Sequence, residues 1–116
     1  MKEKLKTIGV KIRLKKGSLK KVQRWAKELN HRIEEAMETL RDEGVFLEAA
    51  FLDRGENDDY LIYFMKVKNL EKAGEIAQKS THAIDKFHQA FKKECWVEGK
   101  NLELLIDFDR YHEFHE

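Results

Sequence analysis

The stretch Tyr60 to Val67, Tyr-Leu-Ile-Tyr-Phe-Met-Lys-Val, constrains this chain more than any other. It is short, aromatic and β-branched, and Gly55-Glu-Asn-Asp-Asp59 precedes it, so it reads as a strand entered from a turn. Both alternating faces are apolar: Leu61, Tyr63, Met65 and Val67 on one, Tyr60, Ile62 and Phe64 on the other. A strand apolar on both faces needs cover on both sides and belongs at the centre of a sheet.

The flanking patterns supply the rest of that sheet. Lys6 to Lys15 alternates, with Ile8, Val10, Ile12 and Leu14 on one face, and predicts a strand with a single core face. Gly17 stops it and Ser18 is a suitable N-cap for a long helix to about Asp42. The helix stripe is Leu19, Val22, Ala26, Leu29, Ile33, Ala36, Met37 and Leu40, with Trp25 at its margin and Gly44 as terminator. Val45 to Asp53 predicts a second strand whose parity is set by Glu48. Burying an unpaired carboxylate against a helix is costly, so Val45, Leu47, Ala49 and Phe51 are expected to face the helices. Phe46, Glu48, Ala50 and Leu52 then share the opposite face with Tyr60, Ile62, Phe64 and Lys66.

After Val67, Asn69 caps a helix with the stripe Leu70, Ala73, Ile76 and Ala77. Ser80-Thr81 interrupts it, and a second piece from about His82 to Glu94 turns Ile84, Phe87 and Phe91 inward. Asn101 to Asp109 alternates again, Leu102, Leu104, Ile106 and Phe108 against Glu103, Leu105, Asp107 and Asp109, and predicts the last strand.

The order strand, helix, strand, strand, helix, strand predicts an α+β fold over residues 1–116 as a single ferredoxin-like βαββαβ domain. Right-handed crossovers put both helices on one face of an antiparallel sheet, with the first and third strands central. The other face then carries Phe46, Ala50, Leu52, Tyr60, Ile62, Phe64 and Leu105. Such a patch exceeds what a soluble monomer usually exposes, so a homodimer through the sheet faces is expected.

Charge is unevenly placed. Residues 1–28 hold nine lysines and two arginines against two glutamates, a net +9 in a chain whose total is +1. These lysines are spread over a strand, a turn and a helix rather than interleaved with aromatics, so the halves are read as neutralising each other and nucleic acid is not the expected partner. No membrane-length apolar run or secretory region is present, and the one cysteine, Cys95, fits a reducing compartment. The expected location is cytoplasmic.

The βαββαβ order, the doubly apolar hairpin Val45–Val67 and the helix run His82-Ala-Ile-Asp-Lys-Phe-His-Gln-Ala-Phe resemble the dimeric α+β barrel superfamily, and more narrowly small bacterial proteins of that class with no assigned function. The resemblance implies a dimer with a cavity within the barrel or between sheet and helices. It does not select a reaction, because the superfamily includes cofactor-independent monooxygenases, haem-degrading enzymes, isomerases and ligand-binding modules. Two functions stay open: a small-molecule binding or accessory module, and a cofactor-independent monooxygenase- or isomerase-like enzyme with a pocket at the sheet face.

The candidate catalytic residues are Glu48, His88 and Tyr63; the candidate ligand-pocket residues are Arg13, Glu48, Tyr60, Trp96 and Asp107. Glu48 lies among apolar neighbours, where a raised carboxyl pKa would suit a general base. Lys11 and Arg13 could face Glu103 and Asp107 across neighbouring strands, and cross-strand ion pairing is the plainer account of that set. His88 flanks the Ile84–Phe87–Phe91 stripe, where a boundary histidine with a backbone or solvent partner is the plainer reading. The asparagine–tryptophan–histidine set of the haem-degrading branch finds no residue-by-residue match, and no cofactor is expected. His112 and His115, three apart in the tail, lack convergent further ligands, so no metal is expected. Cys95 has no paired histidine or cysteine that would make it a nucleophile.

Overall fold

A computed structural model describes residues 4–110 and 113. The elements run β1 (Lys6–Leu14), α1 (Leu19–His31), α2 (Ile33–Glu43), β2 (Val45–Arg54), β3 (Asp59–Val67), α3 (Leu70–Lys79), α4 (Ala83–Cys95) and β4 (Trp96–Asn101). The strands form one antiparallel sheet of order β2-β3-β1-β4. The doubly apolar β3 is thus central, paired with β1 on one side and β2 on the other. This is an α+β fold whose sheet order is compatible with the ferredoxin-like arrangement, although each crossover carries two helices rather than one.

The core lies on one sheet face. Ile12 and Leu14 of β1, Leu61 and Tyr63 of β3, Val22 and Trp25 of α1, and Phe91 and Cys95 of α4 form one buried cluster. Val45, Val67 and Ala73 form a second at the other end of the sheet.

The expected long first helix is two helices. Arg32 leaves helical geometry at φ −113°, ψ 41°, while its N–H reaches both Glu28 O and Leu29 O. Its side chain lies between Glu28, at 3.5 Å, and Glu35, at 2.7 Å. The break rotates the apolar stripe, so Ile33 and Met37 are exposed and Thr39 is the buried residue of α2. Trp25, expected at the margin, is in the core. Ser18 is buried but does not cap α1; its hydroxyl donates to Lys15 O at 2.6 Å. Gly44 does end α2, at φ 70°, a left-handed geometry that suits glycine. Asn69 caps α3 by accepting from Lys72 N–H at 3.0 Å.

The expected parity of β2 is overturned by a bulge. Val45 pairs with Val67 and Leu47 with Lys66, leaving Phe46 as an extra residue. Beyond it Glu48, Ala50 and Leu52 pair with Met65, Tyr63 and Leu61 and share the helix-covered face, whereas Leu47, Ala49 and Phe51 face outward with Lys66, Phe64 and Ile62. This placement does not bury the carboxylate, because the helices leave Glu48 and Ala50 on the edge strand exposed.

The last strand is also displaced. β4 begins directly after α4 and ends at Asn101, where residues 101–109 had been expected to form it. Gly99, lacking a Cβ, faces Ile12 there. From Leu102, whose N–H donates to Gly9 O at 2.8 Å, the chain continues as an exposed arm, 102–110, outside the sheet. His112 and His115 lie outside the described residues.

Candidate functional site

The inner face of the sheet and α4 bring a set of polar aromatic groups together. Tyr63 sits at the centre of β3 and is buried. His88 projects from α4, and Trp96 follows directly as the first residue of β4. The Tyr63 and Trp96 rings lie 5.5 Å apart, His88 and Trp96 6.3 Å, and Tyr63 and His88 6.5 Å between centroids. Trp25 from α1 closes the group, stacked on Phe91 at 4.4 Å.

Trp25 also fixes His88. Its Nε1–H donates to His88 Nδ1 at 3.1 Å, so the proton of the neutral imidazole resides on Nε2. Burial, assisted by the neighbouring Lys92 cation, pushes the His88 pKa down to about 4. At neutral pH His88 is therefore an uncharged Nε2–H donor. The same burial, with the Glu48 carboxylate adding to it, raises the Tyr63 pKa well above its ordinary value, so the phenol keeps its proton.

Glu48 stands at the open end of this group. Desolvation, with Asp85 adding to it and Lys92 opposing, raises its carboxyl pKa. The residue is nevertheless exposed, so water reaches a carboxyl that has protein on several sides, and the upward shift is that of a partly solvated acid. The Lys92 ammonium lies 4.6 Å over the centroid of the Trp96 ring, within cation–π reach.

Two polar atoms inside the group have no partner: Tyr63 Oη and Trp96 Nε1 are buried without a hydrogen bond among the described residues. Unpaired buried donors cost free energy, on the order of 1–3 kcal/mol each. Together with His88 Nε2–H they present donors from three rings in one neighbourhood.

Glu48, Tyr63, His88 and Trp96 therefore share one side of the sheet. Arg13, Tyr60 and Asp107 do not: they lie on the outer side. Arg13 is 3.8 Å from Glu98 of β4, the Lys11 ammonium is 4.3 Å over the Tyr60 ring, and Asp107 accepts from Thr7 at 2.7 Å and Lys66 at 3.1 Å. Lys11 is 3.7 Å from Asp53 rather than opposite a residue of the arm. The idea that Glu48 shares a pocket with Arg13 or Tyr60 fails on the β2 bulge, which separates them by the thickness of the sheet.

A wider groove, of about 380 Å³, lies beside this group between the end of α2, α3 and the start of α4, lined by Asp42, Glu43, Glu75, Lys79, His82 and Asp85 among others. Burial and the neighbouring Asp85, Glu48 and Asp42 push Glu43 up to about 7. His82 Nε2 meets Asp42 at 2.9 Å, and that hydrogen bond raises the histidine pKa. Within this groove His82 and Asp42 already pair with each other. The aromatic group beside Glu48, hereafter the notch, holds the unpartnered donors, and it is the better candidate site. Among the described residues no group of three or more His, Cys, Asp or Glu side chains is placed to hold a metal ion. Cys95 is buried, and burial raises its thiol pKa, which disfavours the reactive thiolate.

Trp25 and Lys92 were missed by sequence reasoning as site residues. The signal for Trp25 was its spacing three residues after Val22, which places both on the inward face of α1.

The fold and this notch define the class: a small α+β protein with a four-stranded antiparallel sheet and a polar aromatic cluster beneath its last helix. Residues 5–113 match the model of DUF6176, described as a family of unknown function, and the chain belongs to that family. No curated protein matches the chain. No helix among the described residues is long and apolar enough to cross a membrane.

Proposed function

We propose that this chain is a single-domain, homodimeric α+β-barrel module that binds a small, neutral, carbonyl-bearing molecule in the notch between β2 and α4. The observation that carries the reading is the pair of buried, unpartnered donors Tyr63 Oη and Trp96 Nε1 beside the His88 Nε2–H. Donors without acceptors favour a ligand rich in acceptor oxygens, and flat aromatic walls favour a planar one. The exposed Glu48–Ala50 strip of β2 supplies the mouth. A free buried thiol at Cys95 accords with a cytoplasmic location.

The chain has two tryptophans, Trp25 and Trp96, and both line this group. Intrinsic fluorescence is therefore a direct reporter of occupancy. A panel of small quinones, aromatic ketones and lactones is expected to quench or shift that emission saturably. Tyr63→Phe should weaken the response roughly tenfold, the loss of one good hydrogen bond. A response unchanged in Tyr63→Phe would remove the reading.

A second reading is proton-transfer catalysis of the isomerase or cofactor-independent oxygenase type, and one observation favours it. Glu48, with its raised pKa, stands near the Tyr63 phenol, whose ring lies 6.5 Å from the His88 imidazole, and both rings keep a proton at neutral pH. Glu48 would take a proton from carbon next to the ligand carbonyl while the ring donors hold the developing oxyanion. Glu48→Gln is then expected to abolish turnover and to leave binding and fold intact; binding without turnover in the unaltered protein would leave the module reading alone.

A further inference from the structure

The outer sheet face and the arm at 102–110 present an unmatched pair of surfaces. The arm is pinned across the Thr7–Lys66 end of the sheet, where Asp107 accepts from Thr7 and Lys66 and Asp109 lies 2.5 Å from Lys66. The apolar side chains toward its end gain little from this placement: Leu105, Ile106 and Phe108 are 82%, 71% and 91% exposed. At the far edge Phe51, beside Ile62 on the outer face, is 61% exposed and lies beyond the arm's anchor point.

We propose that the arm is the element that joins two copies of this chain: the Ile106 and Phe108 side chains of each copy pack on the outer sheet face of the other, around Phe51. This rests on the dimer named above and specifies what holds it together. A two-fold axis pairs arm with sheet twice, so one pair of complementary patches on one chain generates a closed interface. Large apolar side chains offer roughly 150–200 Å² each. The exposed parts of Leu104, Leu105, Ile106, Phe108, Leu47 and Phe51 therefore approach the ~800 Å² per partner of a stable complex. Charge also fits. Two of the arm's carboxylates, Asp107 and Asp109, which flank Phe108, are already held by the sheet's Lys66 and Thr7, so neither stands uncompensated toward the partner.

The test is sedimentation equilibrium on the full chain, with far-UV circular dichroism as a check of folding. The unaltered protein is expected to be a dimer at ~10 µM, and the double variant Ile106→Asp/Phe108→Asp a folded monomer, its dissociation constant raised at least roughly a hundredfold. Phe51→Asp, on the receiving side, is expected to weaken the dimer in the same way. An arm variant that dimerises as tightly as the parent overturns this inference and leaves the dimer reading standing. A parent chain that is monomeric at ~100 µM brings down both. Loss of the dimer in the arm variant but not in Phe51→Asp overturns the assigned receiving surface.

Discussion

At the scale of single residues, His88 shows how packing sets chemistry. An imidazole with one nitrogen accepting from Trp25 and a lysine close by stays neutral far below its ordinary range. The unfolded chain takes up a proton near pH 6.5 and the folded chain near 4. Within that window the unfolded state binds more protons, so this residue's share of stability is complete above pH 6.5 and is lost as pH falls toward 4. We expect urea midpoints to drop between pH 6.5 and 5, and His88→Phe to flatten that drop. At pH 7 the variant should cost about 1–2 kcal/mol, since it leaves Trp25 Nε1–H without an acceptor. A pH profile in His88→Phe that overlays the parent's would show that the imidazole is not the titrating group. Glu48 and His88 were legible in the sequence as chemistry-bearing residues, because charged and imidazole side chains stand out against an apolar pattern. That Trp25 holds the imidazole from 63 residues away was not legible, since the contact joins two helices, α1 and α4, that only the tertiary fold brings side by side.

At the scale of elements, the β2 bulge decides which residues share the notch. A one-residue change in a strand moves every following side chain to the other face. Two single-residue deletions separate the possibilities. Deleting Phe46 removes the extra residue and leaves Val45 opposite Val67 and Leu47 opposite Lys66, so Glu48 stays on the helix side. Deleting Ala49 allows a regular strand in which Ala50 and Leu52 keep their inward positions while Glu48 turns outward. Carbon-13 NMR titration of the Glu48 carboxyl is expected to give a raised pKa in the parent and in the Phe46 deletion, and an ordinary one in the Ala49 deletion. A raised value in all three would mean that the bulge does not govern the placement. The helix break at Arg32 belongs to this scale as well. Its charged partners, Glu28 four residues before and Glu35 three after, stand at spacings that equally suit an unbroken helix.

At the scale of the whole molecule, the question is what shelters the outer face and the arm. Association raises apparent stability by mass action, so an arm-linked dimer has a melting temperature that climbs with protein concentration. We expect this slope in the intact chain and its absence in a chain ending at Asn101, whose sheet and core keep every residue of the two buried clusters. A melting temperature independent of concentration in the intact chain would argue against the dimer.

By itself the sequence determined the α+β class, the antiparallel four-stranded sheet with β3 at its centre, and the two-part crossover after Asn69. These follow from local periodicity, capping and turn chemistry, which act between residues close along the chain. The tertiary structure alone decided the face that Glu48 occupies, the division of the first crossover at Arg32, and the fate of residues 102–110. Alternation shows that two sides of a segment differ, but it carries no record of which strand lies alongside. Leu102, Leu104, Ile106 and Phe108 alternate as a strand would, yet β1 pairs instead with Trp96–Asn101, because the chain leaves α4 directly into that edge with no intervening loop.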